Sequence, residues 1–289
     1  MEVVCQNLSY SYSPSSKNKK YALSDVTLTI KEGDFFGVIG HTGSGKSTFI
    51  QHLNGLIPVQ NGKLTVGEYD LTDKSRSGKA KLKELRRKVG MVFQYPEYQL
   101  FAETVFEDVA FGVRNFYKQA SAEFIAQKVK SAMQLVGLDF DELKDKSPFS
   151  ISGGQKRRVA LAGVIAVEPE ILVLDEPCAG LDPQGKTSLW QLLHKLHGTF
   201  CKTVIVVSHD MNDVAEQCDK AVVFSDGKAV ACGSPRELFS GLEDLEKLGL
   251  ESPVTGYLTE KLKPSVTLDT DFTIDDFCDK LVEKLKEKS

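Results

Sequence analysis

No stretch of this sequence approaches the roughly 20 consecutive apolar residues of a membrane-spanning helix. The opening Met1-Glu2-Val3-Val4-Cys5 lacks the basic and apolar regions of a secretory leader, which makes the cytoplasm the expected location. No C-x-x-C pair occurs among the six cysteines, Cys5, Cys178, Cys201, Cys218, Cys232 and Cys278. Neither a zinc site nor dithiol chemistry is therefore suggested. A basic surplus is missing too: 36 Lys and Arg stand against 40 Asp and Glu, for a net charge of −4 and a pI of about 5.8. A broadly basic, nucleic-acid-binding surface is not indicated. Core-forming residues are not scarce. Hydrophobic residues make up 41% of 289, enough for one large α/β domain or a domain with an appendage.

The chain is organised around Gly40-His41-Thr42-Gly43-Ser44-Gly45-Lys46-Ser47-Thr48. It matches the phosphate-binding P-loop, G-x-x-x-x-G-K-[ST]. Phe35 to Ile39 before it is an apolar run, as in a strand buried on both faces. Phe49, Ile50, Leu53 and Leu56 after it recur at helical spacing. Gly40, Gly43 and Gly45 let the backbone turn tightly and approach a ligand. The loop N–H groups then point at the positive end of a helix dipole, where phosphate is favoured. Lys46 adds a full positive charge for the terminal phosphates. The Ser47 hydroxyl can ligate a Mg2+ ion bridging them.

Upstream, residues 3–10 and 26–30 read as strands, the second alternating Val26, Leu28 and Ile30 with polar residues. Ser13 to Lys20 between them is a polar turn or loop. Residues 79–88 form a basic helix, Lys79, Lys81, Lys83, Arg86, Arg87 and Lys88 around Leu82 and Leu85, best read as a solvated face. Val89 to Phe93 is a strand ending at Gln94. From about 103 to 168 the pattern is helical. Ser121 caps a helix with Ile125, Val129, Ala132, Met133 and Val136 on its apolar face, and Gly137 ends it. Ser152-Gly153-Gly154-Gln155 opens another helix. Strand and helix then alternate again. Ile171 to Leu174 leads to Asp175-Glu176. Asp182-Pro183 starts a helix burying Leu189, Leu192, Leu193 and Leu196. Its His194 and His197 read as solvated. Thr203 to Val207 leads to Ser208-His209-Asp210. Asp226-Gly227 is a hairpin signal between residues 221–224 and 228–232. Ser234 to Glu237 is a capping box. Thr273 starts a last helix with Ile274, Phe277, Leu281 and Leu285 on one face. Buried strands alternating with helices argue for a largely parallel α/β sheet.

Open parallel sheets place ligands at the carboxyl ends of their strands. Gly40, Gln94, Asp175-Glu176 and His209 all fall at such ends. Asp175 after Ile-Leu-Val-Leu is a Walker B motif that orients Mg2+. Glu176 is placed to polarise or deprotonate water. Together with Ser152-Gly153-Gly154-Gln155 as signature, Gly180-Leu181-Asp182 as D-loop, Gln94 as Q-loop and His209 as switch, the set resembles the ATPase subunit of ABC transporters. Ile151 stands before the signature where that family usually has Leu. Tyr12 matches the aromatic that stacks on adenine, with Tyr10 as the alternative. The His41-Thr42 pair, Gln51 to Leu56, Phe93 to Phe101 and Asp108 to Gly112 are similar to the energy-coupling-factor ATPases that power vitamin uptake. His41-Thr42 points to the second of their two ATPase subunits. Cys178 departs from the family's Thr or Ser beside the catalytic Glu. If exposed, its thiol should be alkylated, with ATP protecting it.

The resemblance implies an α/β P-loop NTPase of the ABC type, with an antiparallel β subdomain, a helical insert at about 95–168 and a short C-terminal extension. Its ATPase domain would span 1–233 and the mainly helical extension 234–289. ATP would lie on Tyr12, on Gly40 through Thr48 (Gly40, His41, Thr42, Gly43, Ser44, Gly45, Lys46, Ser47, Thr48) and on Ser152, Gly153, Gly154 and Gln155. Ser47, Gln94 and Asp175 would hold Mg2+, and Glu176, His209 and Gln94 would serve catalysis. The implied partners are a second homologous ATPase in a heterodimer, a transmembrane scaffold and a substrate-binding membrane subunit, with no nucleic acid. The implied location is the cytoplasmic face of the membrane. Residues Gln94 to about Asp108 would receive the scaffold's coupling helices, with Glu97, Glu103, Glu107 and Asp108 as candidates for pairing with its arginines. The alternative is the ATPase of an importer fed by a soluble binding protein.

Overall fold

The computed structural model describes residues 1–15, 20–241 and 248–287. Its strands are β1 (Val3–Tyr10), β2 (Leu23–Ile30), β3 (Phe35–Gly40), β4 (Asn61–Val66), β5 (Tyr69–Asp70), β6 (Val89–Val92), β7 (Ile171–Asp175), β8 (Thr203–Val207), β9 (Lys220–Ser225) and β10 (Lys228–Gly233). Its α-helices are α1 (Lys46–Leu53), α2 (Arg76–Lys88), α3 (Val105–Phe116), α4 (Ala122–Leu135), α5 (Phe140–Leu143), α6 (Gly153–Ile165), α7 (Pro183–Leu196), α8 (Met211–Gln217), α9 (Pro235–Gly241), α10 (Val254–Leu262) and α11 (Ile274–Glu287).

Two sheets form. One runs β2-β1-β4-β5 and is antiparallel throughout. The other runs β10-β9-β3-β8-β7-β6. Its four pairings from β9 through β3, β8 and β7 to β6 are all parallel, and β10 closes the edge antiparallel. Every residue of β3, β7 and β8 is buried, as expected for parallel strands covered on both faces. Strand β2 instead alternates, with Val26, Leu28 and Ile30 inside. At Asp226-Gly227 both residues have positive φ, 46° and 77°, the geometry of a tight two-residue hairpin.

The helices between β6 and β7 do not form a separate core. Val105, Val109 and Val113 of α3 pack with Val129 and Met133 of α4 and with Val159, Ala162 and Ile165 of α6. The same cluster continues into Leu172, Leu174, Val204 and Val206 of the sheet. Each such side chain contributes about 1.5–3 kcal/mol on full burial. Ser121 accepts from Phe124 N–H to cap α4, and Gly137 beyond its end has φ 73°.

Several elements depart from the periodic reading. Helix α1 stops at Leu53, so Leu56 lies past it and is exposed. Strands β4 and β5 carry no periodic signal, because Asn61, Gly62 and Lys63 are exposed. In α7 it is Trp190, with Leu193 and Leu196, that fills the core. Leu189 and Leu192 are only half-buried. His194 and His197 are not simply solvated. The His194 ring stacks on Phe35 at 4.6 Å and His197 meets the same ring edge-on. In α11 Phe277 is buried, while Ile274 and Leu285 are exposed. Part of the Ser13 to Lys20 loop (residues 16–19) and the side chain of Lys79 lie outside the described residues.

Candidate nucleotide site

The strand order β3-β8-β7-β6 sets four parallel strand ends side by side. From them emerge the Gly40–Thr48 loop, Ser208-His209, Asp175-Glu176 and Phe93-Gln94. Residues up to 169 positions apart in sequence thus share one edge.

Within the glycine loop, Gly40 has φ 147°, and a Cβ there would lie 2.2 Å from the Phe224 carbonyl oxygen. At Gly45, φ is 108° and a Cβ would meet the Ala22 carbonyl at 2.5 Å. Both positions therefore demand glycine. Gly45 is the N-cap of α1 and makes no side-chain cap, which leaves the first-turn N–H groups for a ligand. The Lys46 ammonium folds over the loop and donates to the carbonyls of Gly40 (2.7 Å) and His41 (2.9 Å). The Ser44 hydroxyl is fully buried without a hydrogen-bond partner. An orphaned buried donor in a phosphate-binding loop is what an anion would satisfy. His41 bonds the Thr42 carbonyl through Nδ1. Thr48 Oγ1 lies 3.1 Å from the Tyr12 hydroxyl. The Tyr12 side chain is 63% exposed beside the loop. Tyr10 packs edge-on against both Tyr12 and His52, so Tyr12 is the more exposed of the two rings.

The charges at the strand ends suit a cation and an anion together. Burial pushes the Lys46 ammonium below its usual pKa, and the charges of Glu176 and Asp175 partly restore it. Burial likewise pushes the Asp175 carboxyl up, opposed by a hydrogen bond from the Ser47 hydroxyl. Ser47 and Asp175 therefore already face each other, as two ligands of one hard cation would. The Gln94 amide nitrogen donates to Glu176 Oε2 at 3.0 Å, which leaves its carbonyl oxygen for that cation.

Glu176 has φ 46°, the left-handed region that costs a non-glycine residue about 1–3 kcal/mol. Its N–H donates to the Val207 carbonyl at 3.1 Å, so β8 holds it in this conformation. The bend directs the carboxylate to the open edge, with His209 Nδ1 at 3.5 Å from Oε2. Gln94, Glu176 and His209 are thus brought together.

The signature residues are not brought to this cluster. Ser152 N–H donates to Gln155 Oε1 and Gln155 N–H to the Ser152 hydroxyl, a reciprocal cap on α6. Among the described residues no hydrogen bond or ion pair joins them to the P-loop. A Cβ at Gly153 or Gly154 would meet nothing within 4 Å. This helix N-terminus is therefore open to a group from outside the chain.

Other expectations are altered. Of the four acidic residues offered to a membrane partner, Glu97 is ion-paired with Arg157 at 3.4 Å. Glu107 is paired with Arg114, and Asp108 accepts from the Phe101 and Ala102 N–H groups. Their charges are used within the fold, and only Glu103 keeps an exposed carboxylate without such a bond. The Cys178 thiol is half-buried rather than open, and its pKa is pushed up to about 12, first by burial and then by the Asp213 charge. It is a poor nucleophile. Sequence reasoning missed the Lys186, Asp210 and Asp213 cluster beside His209. It also missed the contact of Gly249 with His41, where a Cβ would come within 3.1 Å. Neither has a local signal, since each joins segments far apart in the chain.

Comparisons with known proteins place the chain in a family. The family model described as ABC transporter matches residues 23–179. The energy-coupling factor transporter ATP-binding protein EcfA2 of Clostridium acetobutylicum is 49% identical over 263 residues, covering 91% of this chain and 90% of that protein. The EcfA2 protein of Clostridium perfringens is 48% identical over 91% of this chain and 90% of its own length. Among solved structures, cbiO1 from Clostridium perfringens, part of the ABC transporter complex cbiONQ, superposes with a TM-score of 0.73 at 35% identity, covering 89% of this chain and 98% of that one. A dimeric ATP-binding cassette solved in a post-hydrolysis state with ADP and Pi gives a TM-score of 0.70 at 29% identity, covering 81% and 98%.

Proposed function

The chain belongs to the ABC transporter family and is an ATPase of its energy-coupling-factor branch, and from this premise we propose how its residues carry the reaction and what they serve. ATP is the substrate. Tyr12 stacks on the adenine, and the N–H groups from Gly40 to Thr48 with Lys46 hold the phosphates. Ser47, Gln94 and Asp175 would hold Mg2+, which when bound neutralises charge on the terminal phosphates. Glu176 accepts the proton of the attacking water as the new P–O bond forms and the bond to ADP breaks. Gln94 and His209 orient that carboxylate, and His209 also faces the terminal phosphate.

The signature makes the protein work in pairs. Ser152, Gly153 and Gly154 present a helix N-terminus that suits a phosphate, yet they lie apart from this chain's own P-loop. They complete the site of a second ATPase, whose signature completes this one. Closure then needs the terminal phosphate as the bridging anion, and hydrolysis removes the bridge. We favour a different, homologous ATPase as the partner.

Among the described residues no helix is long and apolar enough to cross a membrane, so attachment falls to partner membrane proteins. Tyr98, Phe101 and Phe111 are exposed, and Phe101 and Phe111 pack edge-to-face at 4.9 Å. Solvent-facing aromatics between the Gln94 loop and α3 suit the coupling helices of a scaffold subunit. The transported solute is a vitamin or similar micronutrient carried by a separate membrane subunit. This ATPase would act from the cytoplasmic face.

The observation that carries this reading is the joining of Gln94, Glu176 and His209 at the mouth of the P-loop, with the signature open on another helix. Co-expression with a second ATPase and a scaffold, followed by membrane fractionation and a phosphate-release assay, tests it. Movement to membranes and a rise in turnover are expected. Full activity of the isolated chain, with no recruitment by any partner, would overturn the paired reading.

A further inference from the structure

We propose that Lys186 is a positioning residue for His209, acting through Asp210, and that it ties the switch histidine to the D-loop; the proposal rests on the role given to His209 above. The His209 side chain is 69% exposed, with Glu176 Oε2 at 3.5 Å. Packing does not hold such a ring. Its place is set by the backbone on either side.

That backbone is fixed at both neighbours. Ser208 N–H donates to the Val38 carbonyl at 3.2 Å, which ties the segment to β3. Asp210 is held through both carboxylate oxygens. Oδ1 accepts from the N–H of Asn212 at 2.9 Å and from its Nδ2 at 3.0 Å. Oδ2 accepts from the Lys186 ammonium at 2.6 Å. The same ammonium lies 2.8 Å from Asp213 Oδ1, which also accepts from Trp190 Nε1 at 3.3 Å. Asp213 is buried. Among the described residues Lys186 is therefore the cation that bridges two carboxylates, Asp213 within α8 and Asp210 at its N-cap, next to His209.

Lys186 sits one helical turn into α7, and its N–H donates to the carbonyl of Asp182. Asp182 is the D-loop aspartate, and its side chain caps the Gly185 N–H at 2.7 Å. A continuous path thus runs from the D-loop through the first turn of α7 and Lys186 to Asp210 and His209. Beyond Asp210 it reaches the C-terminal extension, because Val254 N–H donates to Asn212 Oδ1 at 2.9 Å. As stability devices, ion clusters of this kind return little for their desolvation. Here the cluster fixes an angle. Without the ammonium, Asp210 and Asp213 repel, and Asp210, half-buried where Asp213 is buried, is the one that turns away, taking His209 with it.

Displacing a catalytic group by about 1 Å can cost on the order of 10²-fold in rate. The test uses the full-length chain in its assembled ATPase dimer. Lys186→Met, Lys186→Arg, Asp210→Asn, His209→Ala and the Lys186→Met/His209→Ala double variant are compared for kcat, ATP affinity and thermal unfolding. Lys186→Met and Asp210→Asn should each lower kcat by roughly 10- to 10²-fold while ATP affinity stays within about twofold. Lys186→Arg keeps the charge and should restore most of the rate. The double variant should be no slower than His209→Ala, because both act on one group. Should Lys186→Met fail to fold, the near-isosteric Asp210→Asn carries the same expectation. Normal turnover in Lys186→Met or Asp210→Asn beside a dead His209→Ala would overturn the positioning role alone. So would losses that multiply in the double variant. Normal turnover in His209→Ala would overturn the role of His209 and this inference with it.

Discussion

Glu176→Gln removes one charge and one basic oxygen while leaving the side-chain shape in place. Gln94 Nε2, now 3.0 Å from Glu176 Oε2, still finds a carbonyl oxygen there. The φ of 46° burdens glutamine about as much as glutamate, since both carry a Cβ. The fold should therefore hold to within about 0.5 kcal/mol, or roughly 1–2 °C in Tm. What disappears is the group that takes the proton from water. General-base catalysis contributes about 10²- to 10⁴-fold, equivalent to about 2.7–5.4 kcal/mol of barrier. ATP binding should persist, because Lys46, Ser44 and the loop N–H groups are untouched. The closed dimer should accumulate, since the bridging phosphate is no longer lost. Steady-state phosphate release reads the rate, equilibrium binding reads the affinity, and size-exclusion with ATP reads the dimer. Turnover within about threefold of wild type would remove Glu176 from the base role. A parallel fall in affinity and Tm would mean that the residue holds the loop rather than the water.

Three further outcomes follow from the geometry. Tyr12→Ala should weaken ATP binding by roughly 10-fold or more, as loss of base stacking does, with little change in kcat at saturating ATP; an unchanged affinity would return the stacking role to Tyr10. Asp210 has its carboxyl pKa below the ordinary 3.8: burial acts to raise it, but the hydrogen bonds from Lys186 and Asn212 and the Lys186 charge more than offset this. A lowered carboxyl stabilises the fold fully above the unfolded value and loses that contribution as pH falls through the folded one. The stability margin of wild type over Asp210→Asn should thus be present at neutral pH and shrink below pH 3.8; a margin constant from neutral to acid would contradict the ion pair. Finally, the Cys178 thiol, pushed up to about 12, should react slowly with iodoacetamide at neutral pH with or without ATP. Rapid labelling of Cys178 in the apo protein would show that the strand-to-loop turn opens.

Motifs that act through local backbone were legible from residues alone. The Gly40 to Thr48 loop is one, because its glycines and lysine act within a single turn. The helix start at Ser152-Gly153-Gly154-Gln155 is another, as is the hairpin at Asp226-Gly227. Buried parallel strands were legible as apolar runs. Strands β4 and β5 were not, since Asn61, Gly62 and Lys63 of β4 face solvent and order comes from pairing, β4 on β1 and the two-residue β5 on β4. Trp190 was overlooked because its indole is buried by α8 and Phe35, not by any pattern within α7. Glu97 looked free for a partner because nothing in its own stretch reveals Arg157, whereas Glu107 and Asp108 are taken locally, by Arg114 two turns on in α3 and by the Phe101 and Ala102 N–H groups upstream, contacts that only the folded loop and helix set.

The sequence by itself determined the chemistry: which residues can hold phosphate, which can ligate a hard cation and which can take a proton. These are properties of side-chain type and short spacing. Only the tertiary structure decided how they meet. The β3-β8-β7-β6 order gathers Lys46, Gln94, Asp175, Glu176 and His209, while the signature stays on a helix whose N-terminus faces outward. It also bent Glu176 into the left-handed region and threaded Lys186 between two carboxylates. Strand order and such strain arise from packing between distant segments. Local sequence carries no record of them, because their energies are realised only when the whole sheet has formed.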